Sequence, residues 1–328
     1  MNSYFSSHNK NVQYNYPNSE EHHNNFKLHI VTVSTDDRFY FKYLIESCKR
    51  NGVPLTVLGY GEKWQGYTWR FKLMMDFIKS VNPYDIICFV DSYDVLSIRN
   101  FNTLIDKFLQ IKEKYKCKII TGYEHYNSFA QKILADIYFS ECNGKHLNCG
   151  TYIGHAKDLL HVLITSKSID EKEMDDQKLL TKYCQIYPND IYIDINNEIF
   201  LVIHNSLNDI YNELTIDNQN NISYNKNYPY FVHGASSSYL NKLIKKLDYP
   251  IDNQTIKKIN DESIKYVLKK TVEHGMVFFK TYYIIIIIVN MILLFIMKQY
   301  IFVFVFLLIM FILFKVIKAR VYNYFIKT

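Results

Sequence analysis

Short apolar runs and longer periodic stretches alternate along most of the chain. The runs Leu28–Val33 and Leu55–Leu58, with those at 85–90, 118–121, 150–153, 191–193 and 230–232, read as buried strands. Between them, residues 38–50, 69–80, 101–115, 129–139, 156–165 and 175–184 carry apolar side chains at helical spacing. Asn51-Gly52 closes the first of these helices, and Pro83 follows the second. Strands alternating with helices of this length predict an α/β fold. Its central sheet should be mostly parallel and covered on both faces. No internal repeat is visible.

The pattern changes near residue 281. Residues 284–297 contain one polar side chain, Asn290, and 300–314 contain only the Tyr300 hydroxyl. Lys298 and Gln299 separate the two runs. Each run is shorter than the ~20 residues that cross a hydrocarbon core as a straight helix. A hairpin of two short helices, or one long tilted helix with Lys298 snorkelling, would satisfy the pattern. Lysines flank both ends, including Lys269, Lys270 and Lys280 before and Lys315 and Lys318 after, which favours two cytosolic ends. The expected organisation is a polar, disordered N-terminus (1–26), one α/β domain (27–248), a basic helical linker (249–280), a membrane segment (281–317) and a basic tail (318–328). Residues 1–26 contain no apolar signal region, so the domain is expected to face the cytosol. Its six cysteines would then be reduced thiols. The sequons at Asn221 and Asn253 weigh little in so Asn-rich a chain.

Composition narrows the class only modestly. The 328 residues carry 38 Lys+Arg and 32 Asp+Glu, a net charge of +6, with 48% hydrophobic residues. These values exclude a disordered or collagen-like chain, and six cysteines are too few for a disulfide scaffold. No basic block points to nucleic acid.

In sheets of this kind ligands bind beyond the carboxyl ends of the strands. Four such places carry polar residues: Ser34-Thr35, the 59–64 segment GYGEKW, Asp91-Ser92-Tyr93-Asp94, and His233-Gly234. Asp91 and Asp94 follow the fully apolar run IICFV. Two carboxylates there repel one another unless a cation lies between them, and a hard divalent ion that also binds phosphates answers that need. The alternative is a loop in which Asp91 caps a turn and Asp94 faces water. There is no G-x-x-x-x-G-K-[ST], no third glycine after Gly59 and Gly61, no H-E-x-x-H and no C-x-x-C.

The segment 30–95, with VTVST, VLGYGEKW and FVDSYDV in order, resembles the glycosyltransferase domain of the procollagen lysyl hydroxylases. The resemblance continues through LNCGTYIG at 147–154, Asp175-Asp176-Gln177 and Val232-His233-Gly234. It implies a GT-A-like nucleotide-sugar transferase fold and transfer of a hexose, glucose or galactose, from a UDP-sugar. Manganese or another divalent cation would assist, and the acceptor would be a protein or glycan. By the same resemblance Asp91, Asp94 and His233 would hold the metal. Thr32, Trp64 and Tyr93 would line the uridine and ribose pocket, with Gly234 beside it. Asp175 and Asp176 would face the transferred sugar and the acceptor. Core packing for Trp64, Tyr93 and His233, and helix capping for the Asp175–Asp176 pair, are the competing explanations.

The chain also departs from the family. The stretch after Trp64 is short, and either Arg70 or Lys72 stands in for the family's phosphate-binding lysine. Cys149-Gly150-Thr151 replaces the usual Ser-Gly-Gly, and a hydrophobic tail stands where the hydroxylase domain would follow. An inactive, membrane-bound binding relative and a metal phosphohydrolase are the competing functions.

Overall fold

The computed structural model describes residues 11–14, 26–52, 55–126, 129–203, 214–217, 221–235 and 240–262, with scattered positions between 264 and 312. The unit that carries all the elements below runs to Ile259, past the expected limit at residue 248.

A seven-stranded sheet forms its centre. In chain order its strands are β1 (Asn11–Tyr14), β2 (Leu28–Val33), β3 (Leu55–Leu58), β4 (Ile86–Val90), β6 (Ile119–Glu124), β7 (His146–His155) and β8 (Ile191–Asp194). Their spatial order is β1-β3-β2-β4-β7-β6-β8. The pairs β2–β3, β2–β4 and β6–β8 are parallel. The pairs β1–β3, β4–β7 and β6–β7 are antiparallel. The sheet is therefore mixed, not mostly parallel as the sequence pattern predicts. A strand buried on both faces is apolar throughout whichever way it runs, so composition carries no direction. Within the N-terminal segment expected to be polar and disordered, Asn11–Tyr14 is a strand, and the rest of 1–25 lies outside the described residues. This strand covers the outer edge of β3, which would otherwise offer unpaired backbone groups.

Helices α1 (Phe41–Arg50), α2 (Tyr67–Ile78), α3 (Leu104–Tyr115), α4 (Phe129–Tyr138), α5 (Ala156–Ile169) and α6 (Asp176–Ile186) connect these strands, and α7 (Asn241–Lys246) follows later. The termini follow local chemistry. Lys49 and Arg50 sit in the last turn of α1, where they complement its dipole. Gly52 then takes a left-handed φ of 66°. Asp175 caps α6 by accepting from the Lys178 backbone N–H at 3.1 Å.

Two apolar layers enclose the sheet. Met74, Leu159, Leu163 and Tyr183 belong to one, with Phe89 stacked on Tyr152 at 4.7 Å. Leu44, Phe108, Ile153 and Phe231 belong to the other. Burial of each such side chain contributes about 1.5–3 kcal/mol.

A second, three-stranded sheet is not apparent in the sequence pattern. It consists of β5 (Val95–Ser97), β9 (Phe200–Ile203) and β12 (Phe231–Gly234), with β12 central. A two-stranded ribbon, β10 (Thr215–Ile216) with β11 (Ile222–Ser223), completes the set. Strand β5 begins one residue after Asp94, and His233 pairs with Val95 across β12–β5.

Cys142 and Cys184 are joined by a disulfide, Cα–Cα 5.8 Å, while Cys48, Cys88, Cys117 and Cys149 are free and buried. This corrects the expectation of six reduced thiols. Such bonds persist in oxidising compartments. The bridge closes a sequence separation of 42 residues. Chain entropy then predicts that reduction lowers the unfolding free energy by about 4 kcal/mol. Denaturant titration with and without dithiothreitol measures this, and superimposable curves would refute it.

Candidate active site

The carboxyl end of β4 opens onto a cluster of charged groups. Asp91 and Asp94 lie in the loop from β4 to β5. His233 comes from β12, and its placement beside β5 brings it next to Asp94. His233 Nε2 lies 3.3 Å from Asp94 Oδ1 and 3.9 Å from Asp91 Oδ2. Ligand atoms of all three residues fall within 4.8 Å of one another. Two backbone bonds hold the frame: Gly234 N–H donates to the Asp94 carbonyl at 2.7 Å, and Asp91 N–H to the Gly150 carbonyl at 2.8 Å.

Arg70, on α2, is buried against the same cluster. Its guanidinium donates to Asp91, and to Asp176 Oδ2 at 2.8 Å from Nε, with Nη2 at 2.5 Å. Lys72, the other candidate for the phosphate-binding cation, stands exposed on α2 and pairs with Asp76 one turn on. Asp176 is buried, so it faces Arg70 and not open solvent. Asp175 is half-buried and caps α6.

Burial dominates the electrostatics. It pushes Asp91 up to about 6 against the pull of Arg70, with Asp94 adding repulsion. It pushes Asp176 up to about 7, again opposed by Arg70. For His233 burial acts in the other direction, but Asp94 and Asp91 outweigh it and the imidazole titrates above its ordinary value.

Tyr93 organises a neighbouring cluster. Its hydroxyl lies 3.1 Å from both the backbone N and Oγ1 of Thr35, and 3.3 Å from Asp36 Oδ1. Thr32 is not part of it. That residue is fully buried within β2, its hydroxyl without a partner, so the exposed end of the strand presents Thr35 instead. β2 is buried on both of its faces from His29 to Val33, and Thr35 lies in the loop beyond its end. Trp64 is 40% exposed and meets Tyr67 and Trp69 edge-on, leaving ring surface free.

Two residues with no role assigned from the sequence complete the centre. Asn148 Oδ1 lies 3.0 Å from His233 Nδ1. Gly150 leaves the space in which the ligands meet: a Cβ there would sit 2.4 Å from His233 Cε1 and 2.6 Å from Asp91 Oδ2. Gly150→Ala should cost about 1–3 kcal/mol of stability. Thermal melts would check this, and an unchanged melting temperature would contradict the crowding.

The arrangement is an α/β domain with a mixed sheet and a charged centre at the end of β4. The PLOD GT domain family model matches residues 24–256, more than half of the chain, which therefore belongs to that family. A multifunctional procollagen lysine hydroxylase and glycosyltransferase of Caenorhabditis elegans is 28% identical over 240 residues, covering 66% of this chain and 32% of that protein. A procollagen-lysine,2-oxoglutarate 5-dioxygenase of Drosophila melanogaster is 27% identical over 237 residues, covering 65% and 31%. The chain thus spans about a third of the length of these relatives. Among solved structures, a glycosyltransferase involved in glycosylation of the major capsid of PBCV-1 aligns with a TM-score of 0.37. Its identity is 16%, over 64% of this chain and 94% of that one.

Among the described residues no helix is long and apolar enough to cross a membrane. The expected membrane segment at 281–317 and the basic tail lie almost wholly outside the described residues.

Proposed function

We propose that the chain moves a hexose, glucose or galactose, from a UDP-sugar to a hydroxyl of a protein or glycan with the help of a divalent metal. The observation that carries this reading is the convergence of Asp91, Asp94 and His233. Two carboxylates and one imidazole suit a hard transition-metal ion such as manganese better than calcium, which takes oxygen ligands alone. When bound, such an ion neutralises charge that develops on the departing diphosphate. Arg70 adds a permanent positive charge at the same place and takes the phosphate-facing role left open between it and Lys72. Trp64 and Tyr93 supply flat faces for the base and ribose, and Gly234 backs them. Of the Asp175–Asp176 pair, Asp175 is the one left to bind a sugar hydroxyl and accept the proton of the acceptor hydroxyl, while Asp176, buried against Arg70, holds that cation in place. Hydroxylysine is a fitting acceptor, given the relatives' names.

The apolar segment at 281–317 is read as a membrane anchor. The Cys142–Cys184 bridge favours an oxidising side for the domain over the cytosolic side. Protease protection in sealed membranes tests that orientation.

The functional test is UDP release by the full chain from UDP-glucose and UDP-galactose, with manganese and with EDTA. Metal-dependent release is expected. Absence of both release and metal-dependent UDP binding would overturn the proposal in favour of an inactive relative. Hydrolysis of simple phosphate esters instead would favour a phosphohydrolase.

A further inference from the structure

Glu124 ends β6 and is buried, and its hydrogen bonds go to residues other than the three candidate ligands. It has one strand-end neighbour of consequence, Asn148 on β7. Asn148 Nδ2 donates to Glu124 Oε1 at 2.8 Å. Tyr126 donates its hydroxyl to the other carboxylate oxygen. On the far side of the amide, Asn148 Oδ1 accepts from the Gly150 backbone N–H at 3.0 Å and from Thr151 Oγ1 at 3.4 Å.

These contacts leave the amide one orientation. A backbone N–H can only donate. Oδ1 must therefore face Gly150 and Nδ2 must face Glu124. His233 Nδ1, 3.0 Å from Oδ1, is then obliged to be the N–H donor. That fixes the tautomer of the neutral ring: when the imidazole is neutral Nε2 carries the lone pair, and it is Nε2 that points at Asp94 and Asp91.

We infer that Glu124 is a positioning residue, which acts through Asn148 to hold His233 in the one tautomer that can ligate a cation between Asp91 and Asp94. The inference rests on the metal reading of that cluster. Nothing in the sequence pattern marks Glu124, because its partner lies on the adjacent antiparallel strand across an irregular register. The pairing shifts between Thr121 and Gly122, and this brings Glu124 opposite His146 and beside Asn148. A partner that orients a ligating histidine typically contributes ten- to a hundredfold in metal affinity.

The test is manganese affinity of the full chain, measured by electron paramagnetic resonance of free Mn2+ in the presence of UDP. Glu124→Ala should weaken binding at least tenfold. Glu124→Gln should restore most of it, because its amide oxygen still accepts from Asn148 and its amide nitrogen can donate to Tyr126. An alanine variant that binds like wild type, or a glutamine variant as weak as alanine, overturns the inference. Wild-type chain that binds no manganese would instead sink the metal reading itself. Should Glu124→Ala fail to fold, nitrogen-15 spectra of the imidazoles in the metal-free wild-type chain decide. The signal lost in His233→Gln should belong to an Nδ1–H imidazole at high pH, and an Nε2–H form there overturns the inference.

Discussion

Asp94→Ala should lower metal-dependent UDP-sugar turnover by about three orders of magnitude and abolish metal-dependent UDP binding. The estimate follows from losing one of three ligands to an ion that supplies several kcal/mol of charge stabilisation, about 4 kcal/mol being three decades in rate. Folding should be almost untouched. The Asp94 side chain is a quarter exposed, and its structural bond to Gly234 uses the backbone carbonyl, which alanine keeps. Removing it also relieves repulsion on Asp91. Steady-state UDP release and a thermal melt on the same preparation separate the two effects. Full turnover in this variant would refute the metal assignment, and a collapsed melt would assign the residue a structural role instead.

Arg70→Met should produce the opposite pattern, with stability as the main casualty. The guanidinium is the cation facing two poorly solvated carboxylates, Asp91 and Asp176. Removing one side of a buried ion pair costs about 3–5 kcal/mol, because the charges left behind keep their desolvation penalty. The loss should depend on pH in a defined direction. Burial already raises Asp91 to about 6 and Asp176 to about 7, above the ~3.9 of an unfolded aspartate. Such acids bind more protons folded than unfolded, so stability falls as pH rises from about 4 through 7. Without Arg70 both values climb further and the fall steepens. Melting temperatures of variant and wild type across pH 5–8 should therefore converge toward acid and diverge toward alkali. A pH-independent gap would mean that the arginine contributes by packing alone.

Sequence and structure divide the description of this protein unevenly. The periodicity placed the core strands and helices, since apolar runs and helical spacing are local properties of the chain. The helix at 38–50 was too long by three residues at its start, because apolar spacing does not mark where the first turn begins. The run IICFV fixed where Asp91 emerges, and ordered motifs pointed to the family and to the Asp91, Asp94 and His233 set. Direction and register were beyond that reach. β7 runs against both neighbours, and Thr32 faces inward while Thr35 reaches the strand end. Both facts depend on which strands pair, and pairing joins residues far apart in the chain.

The same reason governs the centre. Arg70 and Lys72 are two residues apart and chemically alike, yet helix α2 buries one against Asp91 and Asp176 and leaves the other in solvent. Asn148 and Glu124 meet only because β6 and β7 lie side by side with a shifted register. The bond between Cys142 and Cys184 depends on α6 packing beneath the start of β7, which no spacing of cysteines expresses. Local composition chose the elements and the kinds of chemistry available. Long-range pairing, in which each contact joins distant segments, decided which of those groups share a site.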